Sequence, residues 1–212
     1  MIEEKKKKST LLASLGVLAM VAGIVGVAFA AYTWTFTGTK TNTISTGNIS
    51  MTFLESTDVI NITNALPIDD ASAKVLSGTN EKFDFAVTTT ASGAPGTIKY
   101  NLKITKVSVD SGYTALADSQ VKVYLTSLSG TTASLTETQV VAPTKVSSII
   151  TSGTTGTLKA NIAKDHTTAN KTYTDKYRLR MWIDQDVDAS SWTSATKNQY
   201  KLKVSADGSL AA

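Results

Sequence analysis

The chain has 212 residues, 42% hydrophobic and 18% charged, which is enough apolar content for a packed core and argues against disorder. The length fits one domain of ordinary size or two small ones. Cys is absent and His occurs once, which excludes a disulfide framework, thiol catalysis, zinc–thiolate sites and any site needing two imidazoles. Thr supplies 34 of the residues; it suits a pleated surface and is poor in helix interiors, which argues against a helix bundle or a coiled coil.

The N-terminus carries Lys5, Lys6, Lys7 and Lys8, then a run from Leu11 to Ala31 with no charge and one hydroxyl, Ser14. Ala28-Phe29-Ala30 closes the run with small residues. A basic start, an apolar stretch and an A-x-A end predict a secretory signal peptide over residues 1–30, cut after Ala30. The competing reading is a retained membrane anchor, because 21 apolar residues are long enough to cross about 30 Å of hydrocarbon. Either reading places the rest of the chain outside the cytoplasm, with membrane contact only during export or through the uncleaved helix. Cleavage removes four lysines and two glutamates, so the formal charge falls from +4 to +2. No basic stripe interleaved with aromatics remains, and no nucleic-acid role is expected.

Tyr32 to Thr37 alternates large rings (Tyr32, Trp34, Phe36) with Thr, which predicts a strand with one apolar face. Further strands are predicted over 48–54, 59–63, 82–88, 98–107, 121–125, 156–162, 177–183 and 198–204, and weaker ones at 140–141 and 146–150. The segment 98–107 is the plainest: Ile98, Tyr100, Leu102 and Ile104 fall on one face, Lys99, Asn101, Lys103 and Thr105 on the other. Asp70 to Leu76 has room for one helical turn. Ser127 to Thr138, rich in Ser, Thr and Gly, predicts an exposed loop or hairpin. Nine or ten short strands with polar turns predict an all-β antiparallel sandwich over residues 48–212, with 31–47 as an extended strand and linker ahead of it.

Little chemistry is offered. His166 sits in a polar segment, Lys164 to Thr168, and reads as a solvated loop residue. Asp184, Asp186 and Asp188 resemble the first half of a calcium loop, but Ala189 and Ala195 stand where an EF-hand needs Gly and Glu. A weak calcium site there competes with a solvated acidic turn. Trp192, in a polar loop, is the best candidate for a ring that stacks on a sugar, against a ring folded onto the sandwich edge. There is no Gly-x-Ser-x-Gly and no phosphate-binding glycine loop, so no catalytic residue, cofactor or enzyme activity is expected.

Three segments together resemble the TasA/camelysin family of exported bacterial proteins: the lysine run and apolar stretch leading into Ala31 to Phe36; the polar stretch Thr41 to Met51; and the strands Ile98–Ile104 and Tyr177–Asp184. The Phe-Ser-Asp of many members is Thr35-Phe36-Thr37 here. Camelysins are named as metalloproteases, but no His-Glu-x-x-His occurs in this chain. The resemblance implies a jelly-roll-like sandwich and assembly, with itself and other matrix components, into biofilm-matrix fibres. It also implies donor-strand exchange, in which one subunit lends its N-terminal strand to the next. Tyr32, Trp34 and Phe36 fit that role, with the polar stretch 38–48 as the bridge. Pairing of the same strand within its own sandwich is the open alternative, as is a non-polymerising adhesin or sugar-binding module.

Overall fold

The computed structural model describes residues 33–37, 42–46, 49–55, 61–63, 65–78, 81–92, 95–131, 134–168, 170–190, 192 and 197–211. The signal or anchor segment, with Ala28 and Ala30, lies outside them, as does Tyr32. Among the described residues no helix is long and apolar enough to cross a membrane.

Among the described residues twelve strands form two sheets that pack as a β-sandwich. They are β1 (Thr33–Thr37), β2 (Asn42–Thr46), β3 (Ile49–Glu55), β4 (Asn61–Thr63), β5 (Phe83–Ala91), β6 (Gly96–Val107), β7 (Thr114–Ala115), β8 (Val121–Thr131), β9 (Ser134–Lys145), β10 (Thr155–His166), β11 (Lys171–Ile183) and β12 (Asn198–Ala211). The first sheet has the order β1-β12-β6-β10, with β4 and β7 also on β12; the second is β2-β3-β5-β11-β8-β9. Four pairings nest along the chain: β8 with β9, β6 with β10, β5 with β11 and β1 with β12. Successive pairs in that nest alternate between the two sheets. Residues 34–212 form one compact unit.

Period-2 patterning explains the core. In β5, Phe83, Phe85, Val87, Thr89 and Ala91 are buried and the residues between them are not. In β6, Ile98, Tyr100, Leu102 and Ile104 are buried, as their alternation predicts. The two inner faces meet through a polar bridge: the Tyr100 hydroxyl donates to Asp175 of β11 at 2.5 Å and lies 2.7 Å from the Tyr177 hydroxyl. Burial holds the Tyr177 phenol up at about 12, and burial together with Tyr177 and Asp175 holds Tyr100 far above the ordinary range. On the outer face of the second sheet, Thr88 bonds Thr174 and Thr90 bonds Thr172, each at 3.0 Å, so the Thr excess forms cross-strand hydroxyl ladders.

Among the described residues two helical turns interrupt the strands. α1 (Asp70–Lys74) is capped by Asp69, whose carboxylate accepts from the Ala71 and Ser72 amides, and it fills the turn predicted at 70–76. The strand expected over 146–150 is instead α2 (Val146–Ile149). Val146 and Ile150, four residues apart, are both buried, the spacing of one helical turn. Gly156 makes room for it: a Cβ there would meet the Ile149 carbonyl oxygen at 2.2 Å. Gly156→Ala forces that backbone apart and is expected to cost about 1–3 kcal/mol, read as a drop of several degrees in the thermal midpoint. An unchanged midpoint would show that the turn yields freely. The region expected to be a loop or hairpin at 127–138 is a hairpin, and its strands run well beyond the expected bounds.

Candidate assembly site

β12 presents two edges. β6 occupies one from Lys201 to Ala211, and β7 continues that side at Asn198 and Gln199. β4 takes only Gln199 to Lys201 on the opposite side. β1, on the far side of β12 from β6, therefore shares its edge with β4 and lies beyond those three residues. Without β1, that edge of β12 past Lys201 would present unpaired backbone. From Val204 to Gly208 the inner face of this stretch carries small residues. Val204 and Ala206 are buried, and a Cβ on Gly208 would approach Met51 Sδ of β3 to 2.8 Å.

Trp34 and Phe36 lie within β1, so the strand expected at the front of the exported chain exists as a strand. Within the single chain it pairs with its own β12. The bridge expected over residues 38–48 is partly structured: Asn42 to Thr46 pair in register with Phe53 to Ile49 of β3. Only residues 38–41 separate β1 from β2.

The three aspartates do not come together. Asp184 is fully buried one residue past β11, where Lys122 Nζ and Lys145 Nζ each reach its carboxylate at 3.0 Å. Burial opposes its ionisation, but the two lysines outweigh that and hold its carboxyl below the ordinary range. Asp188 accepts from the Ser190 amide at 2.9 Å in a local turn. Among the described residues no group of three acidic or imidazole side chains is placed to hold a metal ion.

His166 is not a solvated loop residue. It ends β10 and is 1% exposed. Its Nδ1 donates to the Lys171 carbonyl at 2.8 Å, and Nε2 lies 3.1 Å from Thr89 Oγ1. Tyr173 meets the ring edge-on at 5.0 Å. An open depression of about 470 Å³ lies over Pro95, Gly96, Thr97, Asp165, His166 and Thr167, but both ring nitrogens are already engaged. Trp192 is half-buried, and its amide donates to the Ala189 carbonyl at 2.9 Å.

One buried cluster was not foreseen. Arg178 and Arg180 of β11 point to the outer face of the second sheet, yet their side chains are only 10% and 3% exposed. Asp84 grips Arg178 through two contacts of 2.7 Å. Glu137 of β9 accepts from Arg178 at 2.6 Å and from Arg180 at 2.6 and 2.9 Å. The Leu76 carbonyl accepts from Arg180 Nε at 2.7 Å, which brings the segment after α1 over the cluster. Two arginines spaced by one residue, with acids elsewhere in the chain, are the only trace of it in the sequence.

No family model matches the chain, and no curated protein matches it. Among solved structures, the chain is similar to the VP2 subviral particle of infectious bursal disease virus, with 8% identity over 83% of this chain and a TM-score of 0.28. It is also similar to the Salmonella enterica trimeric lipoprotein SadB, with 13% identity, 86% of this chain and 75% of that one covered, and a TM-score of 0.21. The chain spans 31% of the viral protein's length. At such TM-scores neither likeness carries weight for fold or function.

Proposed function

We propose that the chain is an exported, non-enzymatic structural subunit of TasA/camelysin type that assembles outside the cell into fibres by lending its N-terminal strand to a neighbour. The observation that carries the reading is the place of β1: a short strand at the front of the exported part, tied to the rest by residues 38–41 and lying on the otherwise open edge of β12. A strand so placed exchanges its own β12 for a neighbour's with no change of ladder, because the same backbone groups are satisfied either way. Asp184 and His166 are held in internal contacts.

We read the sandwich as a jelly roll. Reduced to β1, β5, β6, β8, β9, β10, β11 and β12, the chain is a nested hairpin whose successive pairs alternate between sheets, the order produced by rolling up one long hairpin. Electron microscopy of the secreted protein, with its N-terminus fixed by mass spectrometry, tests the assignment. Fibres starting from a chain whose first residue is Ala31 are expected. Discrete particles would make it an adhesin or sugar-binding module on the same sandwich, and a first residue at Met1 would make it a surface protein held by the 11–31 span.

A further inference from the structure

Each sheet ends in exposed edges, and the long ones are treated differently. β10 is interrupted by register shifts between Thr157 and Ile162, with Asn161 at φ 56°, and carries Lys159 and Lys164. Shifts and lysines are the usual protections against strand addition. β9 has none of them over its first half. Ser134 to Gln139 pair with Thr131 to Thr126 of β8 without a shift, and all six residues are exposed. Among the described residues the strand's other edge has no partner strand. The one charge in that stretch, Glu137, is already compensated by Arg178 and Arg180. The one large apolar residue, Leu135, is 41% exposed.

We propose that this edge is a contact between two copies of the chain, with the β9 strands antiparallel across a two-fold axis through Thr136. The axis follows from geometry and charge. Antiparallel partners carry their side chains on the same face, and a two-fold perpendicular to the sheet keeps each copy's faces in place. Only residues of the same parity can then face each other, so the axis passes through a residue that meets itself. Within the shift-free stretch 134–139, only centres at Thr136 and Glu137 pair five residues of each copy, and a centre at Glu137 sets two carboxylates opposite each other, which is unfavourable. A centre at Thr136 pairs Thr136 with itself, Ser134 with the second copy's Thr138, and Leu135 with the second copy's Glu137. No like charges then meet, and the second sheets of the two copies run on as one. The contact goes beyond donor-strand exchange and does not depend on it, because β9 and β1 lie in different sheets.

The absence of cysteine makes the test direct. Thr136→Cys, Thr138→Cys and Lys159→Cys are each made in the full chain and exposed to mild oxidant. Facing Cβ atoms in a sheet lie about 4.5–5.5 Å apart, within reach of a disulfide, whereas Thr138 would be displaced from its own copy by four residues. Thr136→Cys is expected to give a disulfide-linked dimer at least tenfold more abundant than either control, whether or not fibres form. Thr136→Lys, which sets two ammonium groups face to face, is expected to lower the weight-average mass of the non-fibrous fraction by sedimentation. Equal cross-linking at the three positions, or none at 136, overturns the proposal. So does an unchanged mass for Thr136→Lys.

Discussion

Deleting residues 31–38 is expected to leave a soluble, folded sandwich that no longer forms fibres. The buried residues Phe53, Tyr100, Leu125, Leu179 and Val204 are spread over β3, β6, β8, β11 and β12, so the two sheets are expected to stay packed without that segment. What disappears is a segment with three large rings, Tyr32, Trp34 and Phe36. Each buries on the order of 150–250 Å², so at about 25 cal/mol per Å² the three contribute roughly 11–19 kcal/mol before ordering and association are counted. Association alone costs an estimated 4–15 kcal/mol, so losing the strand removes the whole surplus that would hold one subunit on the next. The truncated subunit bares β12 past Lys201, and a synthetic peptide of residues 31–37 is expected to bind it one to one. The same peptide added to the intact protein is expected to cap growing ends and shorten the fibres. Fibres of normal length from the truncated protein would refute strand exchange.

The connection to β2 adds a constraint on any such fibre. Residues 38–41 span at most about 18 Å between β1 and β2, even when fully extended. Sheets stacked in a sandwich lie about 10 Å apart, so the reach suffices within one molecule. Between molecules it requires the lender to sit directly against the acceptor's β12 edge. A longer reach requires β2 to leave β3, adding five residues to the bridge.

How far the sequence carries the fold depends on whether a residue's environment is local. The alternation in 98–104 is local, and that segment became β6 with the expected face inward; 177–183 became part of the central strand β11, where every residue from Tyr177 to Ile183 is buried. Val146 to Ile150 is a run of β-branched and small residues that favours a strand by composition, yet packing of Val146 and Ile150 on one side winds it into a turn. His166 was misplaced because two register shifts in β10 reset the alternation upstream, so its inward position cannot be counted along the chain. Asp184 reads as one of three acids in a turn. Its burial comes from Lys122 and Lys145, 62 and 39 residues away. The candidate strand Trp34–Phe36 was legible because it alternates and follows an apolar run; its partner, the edge of β12 left free by β4, belongs to topology alone.

Glu137→Gln is expected to destabilise the sandwich by about 3 kcal/mol, toward the lower end of what breaking a buried ion pair costs, since Glu137 keeps some access to water. The carboxylate touches two guanidiniums that are almost fully buried, and Thr126 Oγ1 also donates to it at 3.0 Å. Replacing it by an amide removes the charge and leaves one acceptor oxygen for two guanidiniums, so Arg180 loses its carboxylate partner beside the Leu76 carbonyl while Arg178 keeps Asp84. The hydrogen bonds from Arg180 hold the Glu137 carboxyl down at about 2, against an ordinary value of 4.5. On acidification the unfolded chain therefore takes up this proton before the folded one does. The stabilisation is complete above the ordinary value and is lost as the pH falls toward and through about 2. Urea midpoints measured from neutral pH to the acid limit should fall steeply for the wild type below pH 4.5. They should fall less steeply for Glu137→Gln, so that the two curves converge at the acid end. Parallel curves would mean that Glu137 is not the group whose protonation weakens the sandwich, and that Asp84 alone balances the two arginines.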